Sequence, residues 1–173
     1  MSLAPWIKGN FGVLIKVNKS DRINTFVGAL DLNQAVGFHR CYLGYFQCFN
    51  SQQYYEAHDV LEHLWLKNGR NAPDYDFSKG LIQLAGGFVH LKLQYAQPNH
   101  PIHGKRLAPA QRLFIRAMEN IAPYGEHHNG LDLVAPLTLA KSYADLLERS
   151  HYSFNPWSPD RAPILPLPRE TQI

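Results

Sequence analysis

At 173 residues, with 45% hydrophobic and 12% aromatic side chains, the chain is long enough for one domain with a real core and too apolar to be disordered. Its 17 Lys and Arg against 14 Asp and Glu leave a net charge of +3, too little by itself to argue for nucleic acid. No run approaches the roughly 18 apolar residues of a membrane span, and "MSLAPWIKGN" lacks the sustained apolar stretch of a signal peptide, so the cytoplasm is the expected location.

In chain order, Phe11, Val13, Ile15 and Val17 alternate, and "NKSD" offers a turn, which predicts a short N-terminal β-hairpin. From about residue 32 the pattern becomes helical, with Ala35, Phe38, Tyr42, Phe46 and Phe49 on one face and His39 amid it as a hydrogen-bonded core residue. Further helices are expected at about 53–66, 77–95, 107–121 and 136–149, separated by loops rich in Gly, Pro, Asn and Asp. Pro156, Pro159, Pro163, Pro166 and Pro168 rule out a helix at the end and predict an extended tail laid over the bundle. The expected fold is all-α: a single domain over 1–173, with a compact bundle of about five helices at 32–150 and an extended tail at 151–173. Cys41 and Cys48, seven apart in one helix, would have Cα atoms roughly 10 Å apart, beyond the reach of about 7 Å of a disulfide.

The stretch "HDVLEH", residues 58–63, suggests a metal helix but misses the H-E-x-x-H and H-x-x-E-H templates by one residue each. At about 100° per residue, His58 and His63 point roughly 140° apart and cannot clasp one ion. His58 and Glu62, one turn apart, can. They sit at the edge of the apolar arc of Ala57, Val60, Leu61, Leu64 and Trp65, whereas Glu56, Asp59 and His63 are expected on the solvated side. The helix at 77–95 is apolar around most of its circumference, apart from a stripe of Gln83, Gly86, Gly87, His90 and Gln94. Two interior glycines disfavour that helix by about 1 kcal/mol each, which close approach of another backbone would offset. If the helix at 53–66 fills the groove, His58 and Glu62 meet Gln83 and His90, and His58, Glu62 and His90 could hold a divalent transition metal such as zinc, iron or manganese. A satisfied hydrogen-bond network is the other reading of the same residues.

The same stretch carries a resemblance. "FNSQQYYEAHDVLEHLW" resembles the signature helix of the uncharacterised family called domain of unknown function 309, through Phe49, Asn50, Tyr54, Tyr55, Glu56, Ala57, His58, Asp59, Glu62 and Trp65. A second family block matches Gly80 to Ala85 and His90, with Lys79 where the family often has glutamine. The resemblance covers about residues 49–121 and implies a small all-α fold, with no established reaction, cofactor or catalytic residue.

Charge is also segregated. No acidic residue occurs between Asp76 and Glu119, a stretch holding Lys79, Lys92, Lys105, Arg106, Arg112 and Arg116 together with His90, His100 and His103. Lys105, Arg106 and Arg112 could grip a phosphate or carboxylate, or could pair across the bundle with Glu56 and Asp59. Two functions fit: a small-molecule site, enzymatic or not, that binds a metal or a small anion, and a helical protein-interaction module in which the polar residues are structural. The partner is then a small molecule or a protein, with no membrane and no nucleic-acid motif, and a homo-oligomer is compatible with either.

Overall fold

The structure, a computed structural model, describes residues 6–8, 14–16, 18–30 and 38–169. The chain falls into two compact units, residues 1–31 and 32–173. In the first, β1 (Trp6–Lys8) pairs antiparallel with β2 (Leu14–Lys16), Ile7 opposite Ile15. The hairpin therefore lies one strand earlier than the alternation at 11–17 suggests; Phe11, Val13 and Val17 themselves lie outside the described residues. "NKSD" does not turn the chain. It starts α1 (Lys19–Ala29): the Asn18 Oδ1 accepts from the Asp21 N–H at 2.8 Å, and Asn18 Nδ2 donates to the Asp21 carboxylate at 2.7 Å. Asn and Asp favour turns and helix starts for the same reason, a short side chain that bonds nearby backbone.

Among its described residues, the second unit is a bundle of five helices: α2 (Arg40–Asn50), α3 (Tyr54–Asn68), α4 (Tyr75–Ala96), α5 (Leu107–Ile121) and α6 (Val134–Arg149). Among the described residues, none of the helices is long and apolar enough to cross a membrane. Neighbours in sequence pack on each other, α2 on α3, α3 on α4, α4 on α5 and α5 on α6. Helix α4 is central, with Phe77, Leu81, Leu84, Ala85, Phe88 and Leu91 all buried. Phe88 ties the layers together: its ring lies 5.3 Å from Phe49 of α2, 5.1 Å from Phe114 of α5 and 4.8 Å from Tyr143 of α6. Cys41 and Cys48 are free and buried, and burial pushes the Cys48 thiol up to about 12, with Glu56 adding to the shift.

The glycine groove of α4 receives mainly α5: a Cβ at Gly87 would overlap the Phe114 ring, one at Gly86 would lie 3.3 Å from Leu113 of α5 and 3.9 Å from His58 of α3, and one at Gly80, a turn or more earlier, 2.6 Å from Ile121 Cγ1. Glycine at these positions admits side chains of α5 where any larger residue would push them away. His39 is not a core residue; it is exposed at the start of α2, where its Nδ1 accepts from the Cys41 N–H at 3.1 Å. Asp59 is not solvated; it is buried, at 4% exposure.

Between α5 and α6 a second hairpin, β3 (His127–His128) with β4 (Leu131–Asp132), turns at Asn129–Gly130, both with positive φ. After α6 the tail runs extended across the bundle, apart from a 3-10 turn at Pro159–Arg161. Asn50 holds it by both amide atoms, donating to the Leu165 carbonyl at 2.9 Å and accepting from the Leu165 N–H at 2.8 Å. The buried Trp157 donates its indole N–H to the Tyr54 hydroxyl at 3.1 Å.

Candidate functional site

Helix α3 turns one face inward through Tyr54, Ala57, Val60 and Leu61. Its C-terminal end is fixed to the start of α4 by Trp65, whose indole N–H donates to the Tyr75 carbonyl at 3.0 Å and whose ring packs 4.8 Å from that of Tyr75. Between these anchors, His58, Asp59 and Glu62 converge. Each offers one ligand atom, and the three atoms lie within 4.8 Å of one another. The Asp59 side chain is 6% exposed, with its Oδ1 at 3.3 Å from His58 Nδ1; His58 and Glu62 are half-buried. Taking a carboxylate out of water is unfavourable unless charge or hydrogen bonds compensate it. An imidazole at one end and a second carboxylate across the gap make a donor set of one nitrogen and two acids. Such a set suits a divalent cation.

The remaining two residues of the expected site point elsewhere. On α4, Gln83 accepts from Asn120 Nδ2 of α5 at 2.7 Å. His90 Nδ1 faces Arg106 Nη1 at 3.1 Å. A guanidinium has donors and no acceptor, so Nδ1 must present its lone pair and the ring proton resides on Nε2. Arg106 also donates its Nε–H to His103 Nδ1 at 2.9 Å. Burial, then Arg106 and Arg112, lower the His90 imidazole to about 4, so it is neutral at physiological pH. The stripe of α4 does pass α3 at Gly86, where a Cβ would sit 3.9 Å from His58 Cδ2 and 3.3 Å from Leu113 of α5. Thus His58 and Glu62 come together with Asp59, beside Gly86, while Gln83 and His90 are engaged from the α5 side.

Residues 42–98 match the model of the family described as Domain of unknown function (DUF309). No curated protein and no solved structure matches the chain. The DUF309 region runs from α2 to the residues just past α4, so it contains His58, Asp59, Glu62, Gln83 and His90 and stops before Lys105, Arg106 and Arg112.

Lys105 is exposed at the end of a single 3-10 turn, His103–Lys105, and Arg112 is exposed on α5. Among the described residues, no carboxylate is within ion-pair distance of Lys105, Arg106 or Arg112, so the cross-bundle pairing with Glu56 and Asp59 does not form. Two participants escape the sequence patterns. Asp59 is hidden by its place on the polar side of the α3 wheel, and His103 by its place in a loop; only the charge segregation around His103 hints at its partner. A cleft of about 530 Å³ lies outside the DUF309 region, lined by His127, His128, Asn129, Asp132, Leu167 and Arg169 among others. None of the expected site residues lines it. His128 and Asn129 are instead pinned to the Asp74 carboxylate at 2.7 and 3.0 Å, which ties the second hairpin to the start of α4.

Proposed function

We propose that the DUF309 region carries a small-molecule site in which His58, Asp59 and Glu62 bind a divalent first-row metal ion. The observation that supports it is the convergence of three ligand atoms within 4.8 Å on one helix, with the central carboxylate buried. Nitrogen and carboxylate donors suit zinc, manganese or iron(II), and three protein ligands leave positions for water or a bound molecule. When bound, such an ion polarises an oxygen-bearing ligand or makes its bound water acidic. The chain's own contribution is to hold the three side chains on a rigid helix, locked at its end by Trp65 against Tyr75. A cytoplasmic location belongs to this reading, and the two free, buried thiols support it.

The test is calorimetric titration of the metal-stripped protein with Zn²⁺ and Mn²⁺, with elemental analysis of the protein as purified. Saturable one-to-one binding that His58→Ala and Asp59→Asn abolish is expected. No heat, and no rise in melting temperature with metal, would overturn the metal reading. A second reading, a helical interaction module in which these side chains form a structural network, is favoured by the His58–Asp59 contact at 3.3 Å. It predicts that Asp59→Asn lowers the melting temperature equally with and without metal.

A further inference from the structure

We infer that Arg106, oriented by His90 and His103, is the receptor for the phosphoryl group of a small phosphorylated ligand. The inference rests on the small-molecule reading of the DUF309 site and specifies its ligand.

The first ground is charge. Arg106 is half-buried, the sequence from 77 to 118 contains no acid, and among the described residues no carboxylate is within ion-pair distance of Arg106 or Arg112. A guanidinium is rarely taken fully out of water without a partner, and the exposed part of Arg106 is open to an anion. Arg112 adds to the positive field at the same imidazole, and a bound dianion offsets that field.

The second ground is orientation. The two hydrogen bonds of Arg106, Nε to His103 at 2.9 Å and Nη1 to His90 at 3.1 Å, end on imidazole lone pairs. They fix the plane of the guanidinium without neutralising it. A guanidinium carries five N–H groups in a planar fork, so the Nη2 group and the outer Nη1–H remain for a ligand. Such a fork matches two phosphate oxygens, and a phosphomonoester of about −1.5 to −2 balances two arginines where a carboxylate balances one. The hydrogen bond also assigns His90 to the anion side: a lone pair held by a guanidinium is not offered to a cation. His100 completes the loop locally, its Nδ1 accepting from the Ile102 and His103 N–H groups at 3.1 Å each.

The third ground is position. His90 follows Gly86 by one turn of α4, about 6 Å of rise, and Gly86 is where α4 passes His58. Along the α4 axis, His90 and the residue that passes His58 are therefore one turn apart. Lys105, expected with Arg106 and Arg112, makes no hydrogen bond to this cluster among the described residues.

The experiment uses the full chain, metal-free in EDTA, with inorganic phosphate as probe and acetate and sodium chloride at matched ionic strength as controls. Phosphate is expected to raise the melting temperature and to shift the ring ¹⁵N resonances of His90 and His103, while the controls do neither. Arg106→Gln should weaken phosphate binding about tenfold or more, Arg112→Gln less, and Lys105→Gln not at all. Equal effects of chloride and phosphate, or undiminished binding in Arg106→Gln, would overturn the inference. If Arg106→Gln fails to fold, Arg112→Gln and the His90 resonance of the unmutated protein decide. Because EDTA removes metal, loss of the phosphate effect beside intact Zn²⁺ binding defeats this inference alone, and the converse defeats the metal site alone.

Discussion

His58 on α3 and His90 on α4 lie on neighbouring helices and flank the same glycine, yet their surroundings have opposite sign. His58 is 3.3 Å from the buried Asp59 carboxylate and shares a cluster with Glu62, whereas His90 accepts from the Arg106 guanidinium at 3.1 Å. A carboxylate partner raises the electron density an imidazole offers to a cation, and a guanidinium occupies it. Counting histidines near a groove therefore overstates the ligands available to a metal. The group that faces each ring nitrogen decides its role.

The sharpest break of this contrast is at the acidic end. Asp59→Asn should abolish the Zn²⁺ heat, a loss of about a hundredfold or more, while His90→Asn lowers affinity less than about threefold, both read by calorimetry. If His90→Asn were the more damaging, the division between the two regions would be wrong. Next in size is the wall that carries both. Gly87→Ala drives a methyl into the Phe114 ring and should destabilise the fold by about 1–3 kcal/mol in urea unfolding. Gly86→Ala meets the flexible tip of Leu113 at 3.3 Å and gains helix propensity, so its effect should stay within about 1 kcal/mol.

A smaller effect comes from pH. The folded state holds His90 at about 4, below the ordinary 6.5, so between these values the unfolded chain binds a proton that the folded chain does not. This contribution to stability is complete above about pH 6.5 and is lost as pH falls toward 4. Denaturation midpoints from pH 7 to 4.5 should fall less steeply in His90→Asn than in the unmutated protein. Identical slopes would mean that Arg106, Arg112 and burial do not act on this ring. Smallest of all, Lys105→Gln should leave phosphate binding, metal binding and melting temperature unchanged.

Helical periodicity makes α3 to α6 legible in the sequence, because apolar positions three and four apart recur over three or more turns in each. The tail is legible from its prolines alone. The candidate site is legible only where one helix determines it: His58 and Glu62 share a face by spacing. Asp59 does not follow, since whether the flank of a helix is covered depends on its neighbours and not on its own period. The same limit applies to the groove. Gly86 and Gly87 announce close approach, but α5 supplies the nearest side chains at both, with His58 of α3 farther off at Gly86. The acid-free stretch reveals a basic region without placing Arg106 on His90, a contact 16 residues apart across a loop. The Asn129–Gly130 pair is the case where a signal was present: two residues suited to positive φ between His128 and Leu131 mark a two-residue hairpin turn.

The Trp157–Tyr54 hydrogen bond joins positions 103 residues apart, and Trp157 is 2% exposed. Ribosomal synthesis delivers Tyr54 well before its lid. During elongation the aromatic layer around Phe49, Tyr54 and Phe88 stays open on one side until the segment carrying Trp157 has been made and can close over it.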